Sequence, residues 1–114
     1  MTPATAYKVL TDAEMKELQT GAFTGSAVDR ADGFIHLSTA DQLTETVDKH
    51  FAGQADLWVA AVDLEAEGQL VKWEPSRGGA LFPHLYGALL LETVIAYSAL
   101  ERDDDGTVRL PVAG

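Results

Sequence analysis

The order of the secondary-structure patterns constrains the fold of this chain most strongly. Two helix patterns come early, and about six short strand patterns account for most of the remaining sequence, without regular alternation of strand and helix. Helices and strands that do not alternate are typical of α+β proteins, whereas parallel α/β sheets need a crossover after each strand. The sequence therefore predicts an α+β fold, with a curved or split antiparallel sheet and two helices near the N-terminus.

Both helices have recognisable starts. Thr11 and Glu14 have the spacing of a capping box, in which each side chain accepts a hydrogen bond from the other residue's backbone N–H, so we predict a helix over residues 12–19. Thr39 and Gln42 repeat the pattern for a second helix that continues to about residue 53.

The strand patterns lie before, between and after these helices. Residues 57–64 are apolar on both alternating faces, which predicts a central strand covered on two sides. Residues 21–32 are rich in Gly, Ser, Thr and Asp and are predicted to form a loop. An Asp-Gly turn precedes a predicted edge strand at residues 107–111. The other predicted strands are residues 7–10, 33–38, 70–75, 81–87 and 94–100.

Composition narrows the class of protein. A chain of 114 residues with 46% hydrophobic residues is expected to form a single domain over residues 1–114. It has no cysteine, which excludes disulfides, thiolate catalysis and thiolate metal sites. A net charge of -10 disfavours broad nucleic-acid binding and anionic membranes, although a small phosphate ligand in a local basic pocket stays open. Because neither a signal peptide nor a membrane span is recognisable, we expect a cytoplasmic protein.

Two of the strand patterns carry a histidine between an aromatic residue and a hydroxyl. In residues 33–38, alternation places Phe34, His36 and Ser38 on one face. In residues 81–87, Phe82, His84 and Tyr86 have the same spacing.

The shared spacing suggests a common site. If the two segments face one cleft, two imidazoles and two hydroxyls meet a small-molecule ligand, which could be a nucleotide. The competing interpretation makes each histidine a structural group of the core. Pro83 lacks a backbone N–H, so residues 81–87 are predicted to be an edge strand or a turn.

Three charged residues are further candidates. Glu74 follows Trp73, and a carboxylate beside an indole can serve as an acid or base; Arg77 comes three residues later and could be its ion-pair partner. Asp29 either lines the cleft or is a solvated loop charge. The two histidines with Glu74 or Asp29 could also form a metal site, although these residues lack the local spacing of a metal motif.

Three blocks of this chain resemble the small bacterial family known as domain of unknown function 952. These blocks are Asp29-x-x-Asp32-Gly33-Phe34-Ile35-His36-Leu37-Ser38, Lys72-Trp73-Glu74 and Phe82-Pro83-His84-Leu85-Tyr86-Gly87. The family has been grouped with the ADP-ribosyltransferase-like superfamily, so the resemblance implies a split antiparallel sheet that holds NAD in the cleft between its halves.

The resemblance also implies roles for single residues. In the superfamily, a histidine on a strand holds the ribose next to nicotinamide, and a hydroxyl two residues later contacts the amide. His36 and Ser38 match that spacing, while Leu37 stands where many members have glycine. Tyr86 is then expected to stack on the ligand, with His84 or Glu74 in place of the final polar group.

Three hypotheses follow for the function. The first is an ADP-ribosyltransferase-like enzyme, a transferase or hydrolase, that acts on NAD or a related nucleotide; His36, His84 and Glu74 are its catalytic candidates. Its ligand-binding candidates are Phe34, Ser38, Asp29, Arg77, Phe82 and Tyr86. The second is a module that binds a small metabolite without turnover. The third is the His/carboxylate metal site.

Overall fold

Two three-stranded antiparallel sheets form the framework of the chain. The computed structural model describes residues 3–111, except for the side chain of Arg77. The first sheet has the order β1-β3-β6, with β1 (Thr5–Thr11), β3 (Leu57–Asp63) and β6 (Val94–Ala99). The second has the order β2-β5-β4, with β2 (Ile35–His36), β5 (Leu81–Leu85) and β4 (Val71–Pro75). The predicted α+β class and antiparallel pairing are confirmed.

Helices are more numerous than the sequence predicts. Those in the described part are α1 (Asp12–Thr20), α2 (Ala27–Asp32), α3 (Ala40–His50) and the single turn α4 (Leu64–Glu67). Short 3-10 turns lie at Gly68–Leu70, Arg77–Gly79 and Leu91–Thr93. The prediction of a loop over residues 21–32 is therefore wrong for residues 27–32, which form α2. Ser26 and Asp29 form the capping box that starts this helix.

The two predicted helix starts are confirmed. The N–H of Thr11 donates to Oε1 of Glu14 over 2.9 Å, and the N–H of Glu14 donates to Oγ1 of Thr11 over 3.1 Å. At α3, the N–H of Thr39 donates to Oε1 of Gln42 over 3.0 Å. This second helix ends at His50 with Phe51 as its C-cap, whereas the sequence predicts that it continues to about residue 53.

The extended segment over residues 33–38 contacts both sheets. Its ladder with β5 contains only two residue pairs, Ile35 with Leu85 and His36 with His84. Ser38 then pairs with Tyr7 of β1: the N–H of Tyr7 donates to the carbonyl of Ser38 over 2.7 Å, and the N–H of Ser38 donates to the carbonyl of Tyr7 over 2.9 Å. Residues 33–38 therefore connect the second sheet to the first directly after His36.

Pro83 lies in the central strand of the second sheet, so the prediction of an edge strand or turn is wrong. The carbonyl of Pro83 accepts a hydrogen bond from the N–H of Leu37 over 3.2 Å. In an antiparallel sheet the N and C=O of one residue face the same neighbouring strand, so the position of the missing proline N–H also faces Leu37. The ladder between β2 and β5 ends at His36, just before Leu37, so the proline removes little hydrogen bonding from the sheet.

Residues 107–111 do not form the predicted edge strand. They pair with the preceding turn only through one bridge, between Arg102 and Val108. The N–H of Val108 instead donates to Oγ1 of Thr44 in α3 over 3.0 Å. The buried Val108 side chain anchors this segment to the helix.

The first sheet is covered on both faces, as predicted for residues 57–64. One apolar cluster contains Ala60 and Val62 of β3 and extends to Leu85 of the second sheet. The other contains Val59 of β3 and packs the opposite face against α3. Within residues 3–111, no helix has the length and apolar character that crossing a membrane requires.

Candidate functional site

One face of the second sheet brings together the two histidines. His36 in β2 lies directly opposite His84 in β5, and their ring centroids are 5.6 Å apart. Strand alternation turns their neighbours Ile35 and Leu85 to the other face, where both are buried in the core. Two segments nearly fifty residues apart in the sequence thus place their imidazoles side by side.

Phe34 packs against three rings on this face. Its ring is stacked on His84 at a centroid distance of 4.0 Å, and it lies 4.6 Å from His36 and 5.2 Å from Tyr86 in tilted arrangements. Phe34, His36, His84 and Tyr86 are called the ring cluster below. Packing of this kind restricts the orientation of each ring.

Glu74 in β4 fixes one side of His84. Its Oε1 atom lies 2.8 Å from Nδ1 of His84 and accepts a hydrogen bond from the hydroxyl of Tyr86 over 2.6 Å. The His84 side chain is only 6% exposed. Its Nε2 is the ring nitrogen that Glu74 does not engage, and the ring lines the cleft described below.

The same contacts shift the pKa values of Glu74 and Tyr86 in opposite directions. The hydrogen bonds from Tyr86 and then His84 hold the pKa of Glu74 below its ordinary value, since both stabilise the carboxylate. Loss of the hydroxyl proton would remove the bond to Glu74, and the pKa of Tyr86 is raised. The Nζ atom of Lys72 lies 5.0 Å from the centre of the Tyr86 ring.

His36 is held by two carboxylates. Nδ1 lies 2.7 Å from Oδ1 of Asp29, and Nε2 lies 2.9 Å from Oδ2 of Asp32. An ionised carboxylate only accepts hydrogen bonds, so both contacts are hydrogen bonds only when both ring nitrogens carry protons.

Asp29 collects four donors although its side chain is only 2% exposed. Oδ1 accepts from the ring and the backbone N–H of His36, while Oδ2 accepts from the N–H of Ser26 and lies 2.9 Å from Nζ of Lys8. Burial alone would raise the pKa of Asp29, but the bond from His36 and the charge of Lys8 hold this pKa well below its ordinary value. Asp29 is therefore a buried anion that connects β1, α2 and β2.

A cleft of about 530 Å³ opens beside the ring cluster, within the size range of small-molecule sites. Both histidines line it, and its other walls come from β1, α2 and α3. Further lining side chains are those of Lys8, Asp32, Ser38, Thr46, Phe51 and Phe82. Phe34 lines a second, smaller hollow of about 320 Å³.

The structure unites most of the residues that the sequence singles out. The cleft is lined by His36, His84, Asp29, Ser38 and Phe82. Phe34 and Glu74 contact His84, and Tyr86 donates a hydrogen bond to Glu74. The hydroxyl of Ser38 lies 2.8 Å from that of Thr46, so each can act as donor or acceptor. The predicted role of Arg77 concerns a side chain outside the described part.

Lys8 is the site residue that sequence reasoning missed. It lies between apolar neighbours in β1 and is buried, with its ammonium group directed to Asp29. A lysine is almost never buried without a partner, so its position in an apolar strand could have indicated a nearby carboxylate.

The metal hypothesis finds little support in this geometry. Among residues 3–111, no group of three or more His, Asp and Glu side chains is placed to hold a metal ion. Nδ1 of each histidine is already directed to a carboxylate, Asp29 for His36 and Glu74 for His84.

Comparison with known proteins identifies relatives of this chain. A family model described as "Protein of unknown function (DUF952)" matches residues 9–97. The crystal structure of protein CC0527 from Caulobacter crescentus has 50% sequence identity and a TM-score of 0.83, covering 93% of this chain and 94% of that chain. The solution NMR structure of CC0527 also has 50% identity, with a TM-score of 0.77, and covers 93% of this chain and 91% of that one. No curated protein gives a significant match.

Proposed function

Since this chain belongs to the DUF952 family of proteins of unknown function, we propose a role for it from its site: it binds NAD or a related nucleotide in the cleft and acts on it as an ADP-ribosyltransferase-like enzyme. The alternative of binding without turnover uses the same cleft. Both place the ligand against the two histidines.

The facing pair of imidazoles is the observation that carries this proposal. His36 and His84 line one cleft with their ring centroids 5.6 Å apart, and Phe34 packs behind them. Imidazoles both donate and accept hydrogen bonds, so a pair of them suits the hydroxyl and phosphate oxygens of a nucleotide. The buried Lys8 adds a cation to the same cleft.

The division of the strands supports the ADP-ribosyltransferase-like assignment. Two three-stranded antiparallel sheets are what a split sheet requires, and residues 33–38 connect them beside the cleft. His36 and Ser38 retain the His-x-hydroxyl spacing and both line the cleft.

Each side chain receives a distinct role in this proposal. His36 contacts the ligand through Nε2, because its Nδ1 is held by Asp29. Ser38 contacts the base or amide, with its hydroxyl shared by Thr46. Glu74 is a positioning residue rather than a group that touches the ligand, since it engages both His84 and Tyr86. Nε2 of His84 is then the group available for proton transfer.

The corresponding reaction breaks the bond between nicotinamide and C1′ of the ribose. Water, or the nucleophile of an acceptor, attacks C1′, and the electron pair of the C1′–N bond leaves with nicotinamide. The proton of the nucleophile passes to Nε2 of His84, which acts as a general base. With water, the products are ADP-ribose and nicotinamide.

Binding without turnover is favoured by a different observation. The Asp29 and Glu74 carboxylates are both committed to donors within the protein, so neither is free to stabilise positive charge that develops on the ribose. In that case the histidines only recognise the ligand.

Calorimetry and saturation-transfer NMR with NAD and ADP-ribose test both versions, with chromatography of released nicotinamide as the measure of turnover. We expect binding that His36→Ala weakens at least about tenfold, the cost of one hydrogen bond to a charged group. Lys49→Ala is the matched control, because Lys49 is an exposed cation paired with Glu45 on α3.

The outcomes separate the hypotheses. Binding with nicotinamide release supports the enzyme, and binding alone supports the module. Failure of both nucleotides to bind a folded wild-type protein would contradict the proposal, as would equal losses in His36→Ala and Lys49→Ala. A shift in melting temperature that is lost when a chelator is added would instead support the metal hypothesis.

A further inference from the structure

Asp32 contacts the ring nitrogen of His36 that the ligand is expected to use. Its Oδ2 atom lies 2.9 Å from Nε2 of His36, and both residues line the cleft. We propose that the Asp32 carboxylate marks an oxyanion subsite: it occupies the place of a ligand phosphate oxygen on His36 and is displaced when that phosphate binds. The inference rests on the proposed function for the identity of the molecule that brings the phosphate.

The two carboxylates on His36 differ in how firmly they are held. Asp29 is 2% exposed and is fixed by donors from Lys8 and Ser26 as well as from His36. Asp32 is 49% exposed, and within residues 3–111 its side chain is hydrogen-bonded only to His36. Exposed pairs of this kind are weak and are screened by salt, so the Asp32 contact is the one that a ligand can replace.

The position of Asp32 in α2 gives no structural reason for a carboxylate. It is the last residue of the helix, where the helix dipole disfavours negative charge. The helix ends through Gly33, whose left-handed backbone needs no help from the Asp32 side chain. The contact with His36 is therefore what the Asp32 carboxylate contributes.

His84 lies beside the same subsite. Its Nδ1 is directed to Glu74, and its ring lines the cleft. The ring centroids of His36 and His84 are 5.6 Å apart, so a phosphate held by His36 lies close to the His84 ring.

The local charge favours an anion although the whole chain carries a net charge of -10. Lys8 provides a positive charge that the buried Asp29 compensates, and His36 provides a second one when both of its ring nitrogens carry protons. Asp32 lies against this second charge. A phosphate oxygen that replaces Asp32 restores the same balance, whereas a neutral ligand group does not.

The test measures binding of inorganic phosphate and of ADP-ribose to Asp32→Ala by calorimetry. Removing a competing exposed carboxylate should tighten both about two- to fivefold, the range expected for an exposed pair. Asp103→Ala is the matched control, because this substitution removes the same charge. Asp103 is 50% exposed and pairs with Arg109 outside the cleft. Asp32→Asn serves in the same assay if Asp32→Ala does not fold.

The two ligands distinguish failure of the subsite from failure of the proposed function. Tighter phosphate binding by Asp32→Ala, with ring ¹⁵N signals of His36 and His84 that move on titration, supports the subsite even if no nucleotide binds. Unchanged or weaker phosphate binding overturns it, as does an equal gain in Asp103→Ala. If wild type and Asp32→Ala bind ADP-ribose equally, the subsite fails while the proposed function stands.

Discussion

At the scale of single residues, the site depends on carboxylates that orient other side chains. Asp29 fixes Nδ1 of His36, and Glu74 fixes Nδ1 of His84. Each histidine is thereby left with Nε2 as the nitrogen that can meet a ligand. Residues behind the cleft thus decide what the residues in it can do.

Asp29→Asn should strongly destabilise the protein. The substitution leaves Lys8 buried without its counter-ion, and breaking a buried pair costs about 3–5 kcal/mol. Because the pKa of Asp29 is lowered in the folded state, its stabilisation is fully present above its ordinary pKa of 3.8 and is lost as the pH falls below that value. Urea unfolding at several pH values should therefore show a difference from wild type that shrinks below about pH 4.

Asp103→Asn provides the comparison for this experiment. Asp103 pairs with Arg109 at the surface, so its loss should change the free energy of unfolding only slightly. Equal destabilisation by the two variants would contradict the assignment of Asp29 as a buried anchor.

Tyr86→Phe should raise the pKa of Glu74. The Tyr86 hydroxyl donates to the Glu74 carboxylate over 2.6 Å and is the largest influence that lowers its pKa. Without this donor the pKa of Glu74 moves up toward its ordinary value of 4.5, which a carboxyl ¹³C NMR titration would measure. Tyr97→Phe is the control, since Tyr97 is similarly exposed but contacts Trp58 in the other sheet. An unchanged Glu74 titration in Tyr86→Phe would refute this role.

At the scale of elements, the short helix α2 organises the site. It carries Asp29 at its start and Asp32 at its end, and Gly33 then turns the chain into β2 with a backbone φ of 86°. An L residue other than glycine disfavours this left-handed conformation. The two carboxylates that hold His36 therefore depend on one glycine.

Gly33→Ala and Gly21→Ala form a matched pair of substitutions. Both glycines end a helix with positive φ, and an added Cβ meets no atom within 4 Å at either position. Each change should cost about 1–2 kcal/mol from backbone conformation alone, measured by thermal or urea unfolding. Only Gly33→Ala should also shift the ring ¹⁵N signals of His36. Equal effects of both variants on those signals would show that α2 does not position His36.

Sequence reasoning predicted the elements whose rules are local. The capping box at Thr11 and the alternating faces of residues 57–64 depend on neighbouring residues only, and both are confirmed. Helix α2 was missed although Ser26 and Asp29 have capping spacing, because six residues rich in polar side chains show no apolar periodicity. The Pro83 prediction failed because it treated every strand position as fully paired.

At the scale of the whole molecule, the site lies where residues 33–38 connect the two sheets. The sequence predicted that Phe34, His36 and Ser38 share a face, since alternation is a property of one strand. It could not give the register that sets His36 opposite His84, because that depends on long-range pairing of β2 with β5. It could not give the ion pair of Lys8 with Asp29 either, since those residues come from different elements.

Titration of ¹⁵N-histidine-labelled protein with ADP-ribose tests the central claim most directly. If His36 and His84 form one ligand site, their Nε2 signals should move together and give a single dissociation constant. A shared site is contradicted if neither ring responds to millimolar ADP-ribose, or if the two rings titrate with different dissociation constants.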